Sequence, residues 1–207
     1  VTLPKHETAT TGLDALAHAT EALTSKDSNV HSDLLAVAAI EKISKYLLTT
    51  WIEPDNIEAR TQMALAANWA GMAFADPMCH AGHAIGDALG CNFHTAHGHS
   101  CSLGLAEVMR LVAPAVPEKM AVIAKAMGLN VNGSETGKEL GDMVAEFIYD
   151  LMRKMELISL KSIGATREGV IALAQEVVDN HLSSYCPVKI TLEVAEKLLA
   201  DMYDNYQ

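Results

Sequence analysis

Apolar side chains recur three or four residues apart in every long segment of this chain, and that pattern limits the folds open to it. Between residues 31 and 49 the repeat runs Leu34, Leu35, Ala38, Ala39, Ile43, Leu47. A helix of 3.6 residues per turn gathers these on one face, whereas the two-residue alternation of a half-buried strand is nowhere sustained. Composition agrees. Half of the residues are hydrophobic but only 5% are aromatic, and Ala, Leu and Met, which lose little rotamer freedom in a helix, dominate over strand-type β-branched runs. The expected fold is all-α, one domain over residues 1–207 built from about eight or nine helices.

The breaks are equally readable. Pro4 and the Thr run predict an extended lead-in over residues 1–11, with Thr10 or Thr11 capping a helix from Gly12 to Leu23. The polar run Ser25–Asn29 ends that helix. Asp55 or Asn56 caps a helix that passes Met63, Ala67, Ala70 and Phe74 and stops near Pro77. Later helices are expected over 102–113, 117–127, 135–158, 166–183 and 191–204, punctuated by Pro114, Pro117, Gly128, Gly133, Gly164 and Pro187.

The net charge of −11 sets the surface against phosphate backbones and anionic bilayers, which argues against nucleic-acid or membrane partners. No stretch of apolar residues is long enough to span a bilayer. The N-terminus has neither an initiator Met nor a signal-peptide h-region, so the chain reads as a fragment or processed product. Cys79, Cys91, Cys101 and Cys186 include no C-x-x-C pair. They read as reduced, small buried residues of a cytoplasmic protein. No Gly-rich dinucleotide fingerprint follows a strand, and the four-residue spacing of Gly82, Gly86 and Gly90 suits close helix packing better than a phosphate loop.

Two clusters carry chemistry. Asp14 and His18 lie four residues apart on an otherwise apolar helical face beside Leu13, Leu16 and Ala17, where a carboxylate and an imidazole need partners. A shared metal ion would satisfy them; so would a plain Asp–His hydrogen bond near a helix N-terminus. The second cluster runs from Cys79 to His99 and holds His80, His83, His94, His97 and His99 among small apolar residues. Metal coordination is the main reason to place so many imidazoles in such surroundings.

Here a resemblance becomes specific. Gly12-Leu13-Asp14-Ala15-Leu16-x-His18-Ala19-x-Glu21 resembles the G-[ML]-D-A-L-x-H-A-x-E segment of the iron-containing (group III) alcohol dehydrogenases. His83-x3-Asp87-Ala88-Leu89-Gly90-x2-Phe93-His94-x2-His97-Gly98 is similar to the later H-x3-H-x-L-G-x2-[FY]-x3-H-G segment. The stretch Cys186–Glu193 resembles the turn before the family's last helix, so the likeness spans the whole chain. It implies a dehydroquinate synthase-like C-terminal domain whose Asp14, His18, His83 and His97 bind a metal, Fe(II) or Zn(II), between which the donor types do not choose. It also implies NAD or NADP held mainly by a nucleotide-binding domain absent from this chain, and metal-assisted hydride transfer between an alcohol and an aldehyde or ketone. Two copies pairing as a homodimer would be compatible with it.

The chain departs from the family at Asp87, where a second His is usual. A carboxylate there could serve the substrate side of the site as a proton carrier, with His94 lining the pocket, or could orient His83. Glycerol dehydrogenase or dehydroquinate synthase-type relatives share the architecture. A helical metal-dependent hydrolase and a metal-binding module without catalysis are readings from other classes.

Overall fold

Helix α1 (Lys5–Thr24) is the central element of the computed structural model, which describes all 207 residues. It packs against α2 (Val30–Ile52), α3 (Ile57–Phe74), α4 (Ala81–Phe93), α5 (His97–Val112) and α6 (Pro117–Ala126). Ala9, Leu13, Leu16, Ala17, Ala19 and Ala22 of α1 have no exposed surface, because a helix surrounded on all sides buries its whole circumference. Of its polar side chains, Asp14, His18, Thr20 and Glu21 are therefore wholly or partly inside the protein, whereas Lys5, His6, Glu7 and Thr11 at its start are exposed.

Around this axis, α2 and α3 form one packed pair and α4 and α5 another. Helix α7 (Gly137–Lys154) lies on α5 and α6; α8 (Arg167–Ile171), α9 (Ala174–Asp179) and α10 (Leu192–Asn205) close the other end, with α10 also against α5. No strand occurs, and no helix is long and apolar enough to cross a membrane. The caps follow local chemistry. Asn29 with Ser32, and Thr136 with Glu139, form reciprocal capping boxes on α2 and α7; Asn56 and Thr191 cap α3 and α10.

Five expectations need correction. The lead-in is not extended to residue 11: α1 starts at Lys5, directly after Pro4, whose fixed φ of −64° and missing N–H cost nothing at a helix start. Thr10 and Thr11 are not caps. Their hydroxyls donate back to the Glu7 carbonyl at 3.4 and 2.7 Å, the usual solution for a threonine inside a helix. Arg60 on α3 holds the start of α1 by donating to Thr8 Oγ1 and the Leu3 carbonyl. The segment 166–183 is not one helix but α8, α9 and a 3₁₀ turn at His181–Tyr185. Helix α7 stops at Lys154, where Glu156 takes a positive φ of 58°. All four cysteines are free, but Cys91 is exposed rather than buried.

Candidate metal centre

Asp14, His18 and Glu21 stand at i, i+4 and i+7 on α1 and share one stripe of that buried helix. His83 and Asp87 come from α4; His97 and Cys101 come from α5. Glycines let the three helices approach closely enough to meet. A Cβ on Gly98 would lie 2.1 Å from the Thr10 carbonyl oxygen and 2.8 Å from Asp14 Cβ, so only glycine lets α5 set His97 beside Asp14. A Cβ on Gly86 would lie 2.4 Å from Cys101 Sγ. The expectation that this glycine spacing serves helix packing therefore holds at Gly86. At Gly90 it does not, since a Cβ there would meet only the Thr95 carbonyl, at 3.8 Å.

The side chains converge. Asp14 Oδ1 is 3.7 Å from His83 Nε2 and 3.7 Å from His97 Nε2, and Asp14 Oδ2 is 4.0 Å from His18 Nδ1. The His18 ring stacks on His83 at 4.6 Å between centroids and on Phe74 at 4.3 Å. These separations are too long for hydrogen bonds. Two donors of one tetrahedral ion with bonds near 2.05 Å stand about 3.3 Å apart, close to what is seen. Asp14 Oδ1 and His83 Nε2 are buried and have no hydrogen-bond partner. Leaving such a group unpaired costs about 1–3 kcal/mol. Their donor types and mutual distances fit a divalent cation, which would satisfy both.

Around the centre the orientation is fixed by Glu21, a residue that is fully buried. Its carboxylate accepts from the backbone N–H of Gly82 at 2.6 Å and of His83 at 3.2 Å, at the N-terminus of α4, where backbone donors and helix dipole favour an anion. The same carboxylate is 2.5 Å from His83 Nδ1. With the proton on Nδ1, the lone pair of Nε2 points at the centre. Burial works against the charge on Glu21, yet His80 and His83 hold its pKa well below the usual carboxylate range. Burial likewise disfavours a charge on His80, but Glu21, 2.9 Å away, raises that imidazole to about 10. His80 Nε2 is 2.8 Å from Thr24 Oγ1, and His99 Nε2 is 2.8 Å from the Ile158 carbonyl; both imidazoles serve the interior and lie off the centre. Burial first, and then His83, lower the His18 pKa to about 4.

Asp87 does not orient His83; Glu21 has that place. Asp87 Oδ1 instead sits 3.9 Å from the outer nitrogen of His97, Nδ1, while its Oδ2 accepts from Asn180 Nδ2 at 3.0 Å. Asp87 and His97 line an open cavity of about 450 Å³ with Gly86, Gly90, Cys91 and Thr95. His94 caps the end of α4 in the left-handed region, φ 53°, and is exposed, outside that cavity wall. Sequence reasoning assigned no role to Glu21 or Cys101. The signal for Glu21 was its place seven residues after Asp14. The signal for Cys101 was its place one turn after His97.

The model of the Fe-containing alcohol dehydrogenase family, C-terminal, matches residues 8–203. The chain belongs to this family. Choline dehydrogenase of Bacillus subtilis is 34% identical over 178 residues, 86% of this chain and 44% of that protein. Alcohol dehydrogenase from Oenococcus oeni superposes with a TM-score of 0.91 at 30% identity, covering 97% of this chain and 52% of that one. Sulfoacetaldehyde reductase from Bifidobacterium kashiwanohense, solved in complex with NAD+, superposes with a TM-score of 0.85 at 29% identity, covering 99% of this chain and 51% of that one. The chain thus spans about half the length, or less, of these iron-containing alcohol dehydrogenase relatives. Their names give alcohol and aldehyde oxidoreductases.

Proposed function

We propose that this chain is the metal-holding helical half of an NAD(P)-dependent oxidoreductase that interconverts a small alcohol and its aldehyde or ketone. The observation that carries the reading is the pair of buried, unpartnered atoms Asp14 Oδ1 and His83 Nε2, 3.7 Å apart, with His97 Nε2 also 3.7 Å from Asp14 Oδ1. Asp14, His18, His83 and His97 are the proposed ligands. A divalent ion held there, Fe(II) or Zn(II), would polarise the oxygen of the alcohol or carbonyl. Glu21 keeps His83 in the tautomer that leaves Nε2 free. Asp87, on the cavity wall and beside His97, takes up the hydroxyl proton as the alcohol is oxidised.

The nicotinamide is assigned to a segment outside these 207 residues. The NAD+ complex of the sulfoacetaldehyde reductase supports a nicotinamide cofactor, and the share of the relatives left uncovered supports a separate binding domain. Hydride transfer requires the nicotinamide carbon to be held against the substrate, and positioning of that kind is worth about 7–11 kcal/mol of barrier. The 207-residue chain alone is therefore inactive in this reading.

The test compares the full-length protein with its His83→Ala variant, measuring iron and zinc by elemental analysis and alcohol-dependent nicotinamide reduction by absorbance. Circular dichroism checks that both are folded. The expected result is joint loss of metal and turnover in the variant. Full metal content and turnover in folded His83→Ala would overturn the reading.

A further inference from the structure

Cys101 lies at the same point as the ligands proposed above and has no role in that set. One donor atom from each of Asp14, His83, His97 and Cys101 can be chosen so that all four lie within 4.8 Å of one another. Cys101 Sγ is 3.5 Å from His97 Nε2, the nitrogen that faces Asp14 Oδ1. A sulfur at 2.3 Å and a nitrogen at 2.05 Å from one tetrahedral ion stand about 3.6 Å apart, so the Cys101–His97 separation, a sulfur–imidazole hydrogen bond in the metal-free protein, is also compatible with shared coordination. Cys101 is completely buried, and the missing Cβ of Gly86 makes the room its sulfur occupies. His83, nineteen-twentieths buried, aims its unpartnered Nε2 into the same space. His18 falls outside this group of four: it is 4.0 Å from Asp14 Oδ2 and groups instead with Cys79 and His83.

We propose that Cys101 is a thiolate donor to the ion held by Asp14, His83 and His97, in the fourth position given above to His18, and that its sulfur strengthens the preference of the centre for zinc(II) over iron(II). The inference rests on the metal-centre reading above. Coordination exchanges the S–H bond for a sulfur–metal bond, and the proton leaves to the buffer. Oxygen and imidazole donors already bind zinc(II) more tightly than iron(II); adding a soft sulfur widens the gap.

Cobalt(II) is the probe, because a thiolate bound to it gives an intense sulfur-to-metal charge-transfer band in the near ultraviolet and nitrogen or oxygen donors do not. The full-length protein, stripped with a chelator, is titrated with cobalt(II). The expected result is one equivalent bound with the band present. The band should disappear in Cys101→Ser, which still binds cobalt, and persist in Cys79→Ser. Competition between zinc(II) and anaerobic iron(II) should show the zinc preference falling by more than about tenfold in Cys101→Ser, the scale on which even indirect partners of a metal move its affinity. Cobalt bound by the wild type without the band would overturn the proposal and leave the metal centre standing. No cobalt binding at all would overturn both. A band that survives Cys101→Ser, or that is lost in Cys79→Ser alone, or an unchanged zinc preference, would also overturn it.

Discussion

Replacing Glu21 by Gln removes one negative charge from a fully buried position, with little change of shape. The carboxylate accepts from Gly82 N–H, His83 N–H and His83 Nδ1 and lies 2.9 Å from His80 Nδ1. The Gln carbonyl can keep one or two of these donors, but its amide nitrogen is itself a donor and must face one of the others. His80 is fully buried and loses its counter-charge. Breaking a buried ion pair by neutralising one partner costs about 3–5 kcal/mol. For a chain of this length that corresponds to a fall in Tm of about 6–20 °C. The second effect is on metal binding. Without an acceptor at Nδ1, His83 no longer holds the tautomer that presents Nε2 to the centre, and loss of such a partner weakens affinity by about 10–100-fold. Urea unfolding of the chelator-treated protein measures the first effect, and competitive zinc titration of the folded protein measures the second. A destabilisation below about 1 kcal/mol together with unchanged zinc affinity would refute the role given to Glu21.

Gly98→Ala should drive α5 away from α1, because the new Cβ meets the Thr10 backbone oxygen at 2.1 Å; overpacking of this kind costs about 1–3 kcal/mol, and zinc titration should show weaker binding at a centre whose His97 has moved. His80 predicts a pH dependence. Its pKa is raised to about 10 in the fold by Glu21 against the burial that would lower it. The stabilisation it provides is therefore fully present below about pH 6.5, its unfolded value, and is lost as pH rises toward 10. In chelator-treated protein the stability gap between wild type and His80→Gln should shrink between pH 7 and 9; a constant gap would count against the charged pair. Asp87→Ala in the full-length protein should lower turnover while leaving metal content largely intact, since Asp87 reaches His97 Nδ1 at 3.9 Å and is held by Asn180; elemental analysis beside steady-state kinetics decides it, and full turnover would remove Asp87 from the chemistry.

The helices were legible in the sequence because a 3.6-residue apolar repeat has one physical cause. The errors fell where two local rules compete. Pro4 followed by a Thr run reads as extended by propensity, yet a helix can begin right after a proline, and threonine hydroxyls find carbonyls one turn back. The segment 166–183 carries an apolar repeat throughout, but its helix breaks after Ile171 and again after Asp179, where the Asn180 side chain caps the turn that follows. Such breaks depend on what the segment packs against, and that information is not local.

The candidate site divides along the same line. Asp14, His18, His83 and His97 were singled out by the likeness to the two family motifs; the residues alone also allowed a plain Asp14–His18 hydrogen bond and did not set His83 and His97 apart from His80, His94 and His99. Glu21 was passed over although it stands on their stripe, since a glutamate near the end of a helix is most often solvated, and its complete burial emerges only when the N-terminus of α4 is placed against α1. Cys101 was passed over for the opposite reason: a lone buried cysteine is ordinarily a small apolar side chain. What changes its meaning is the distance to His97 Nε2, which exists only because Gly86 and Gly98 let α4, α5 and α1 close on one another. The two glycines carry no functional group, yet they decide which functional groups meet. A search of this sequence for ligands alone could find candidate donors but not which of them come within reach of one another. That follows from helix separations, and in this chain those separations are set by hydrogen atoms where side chains would otherwise stand.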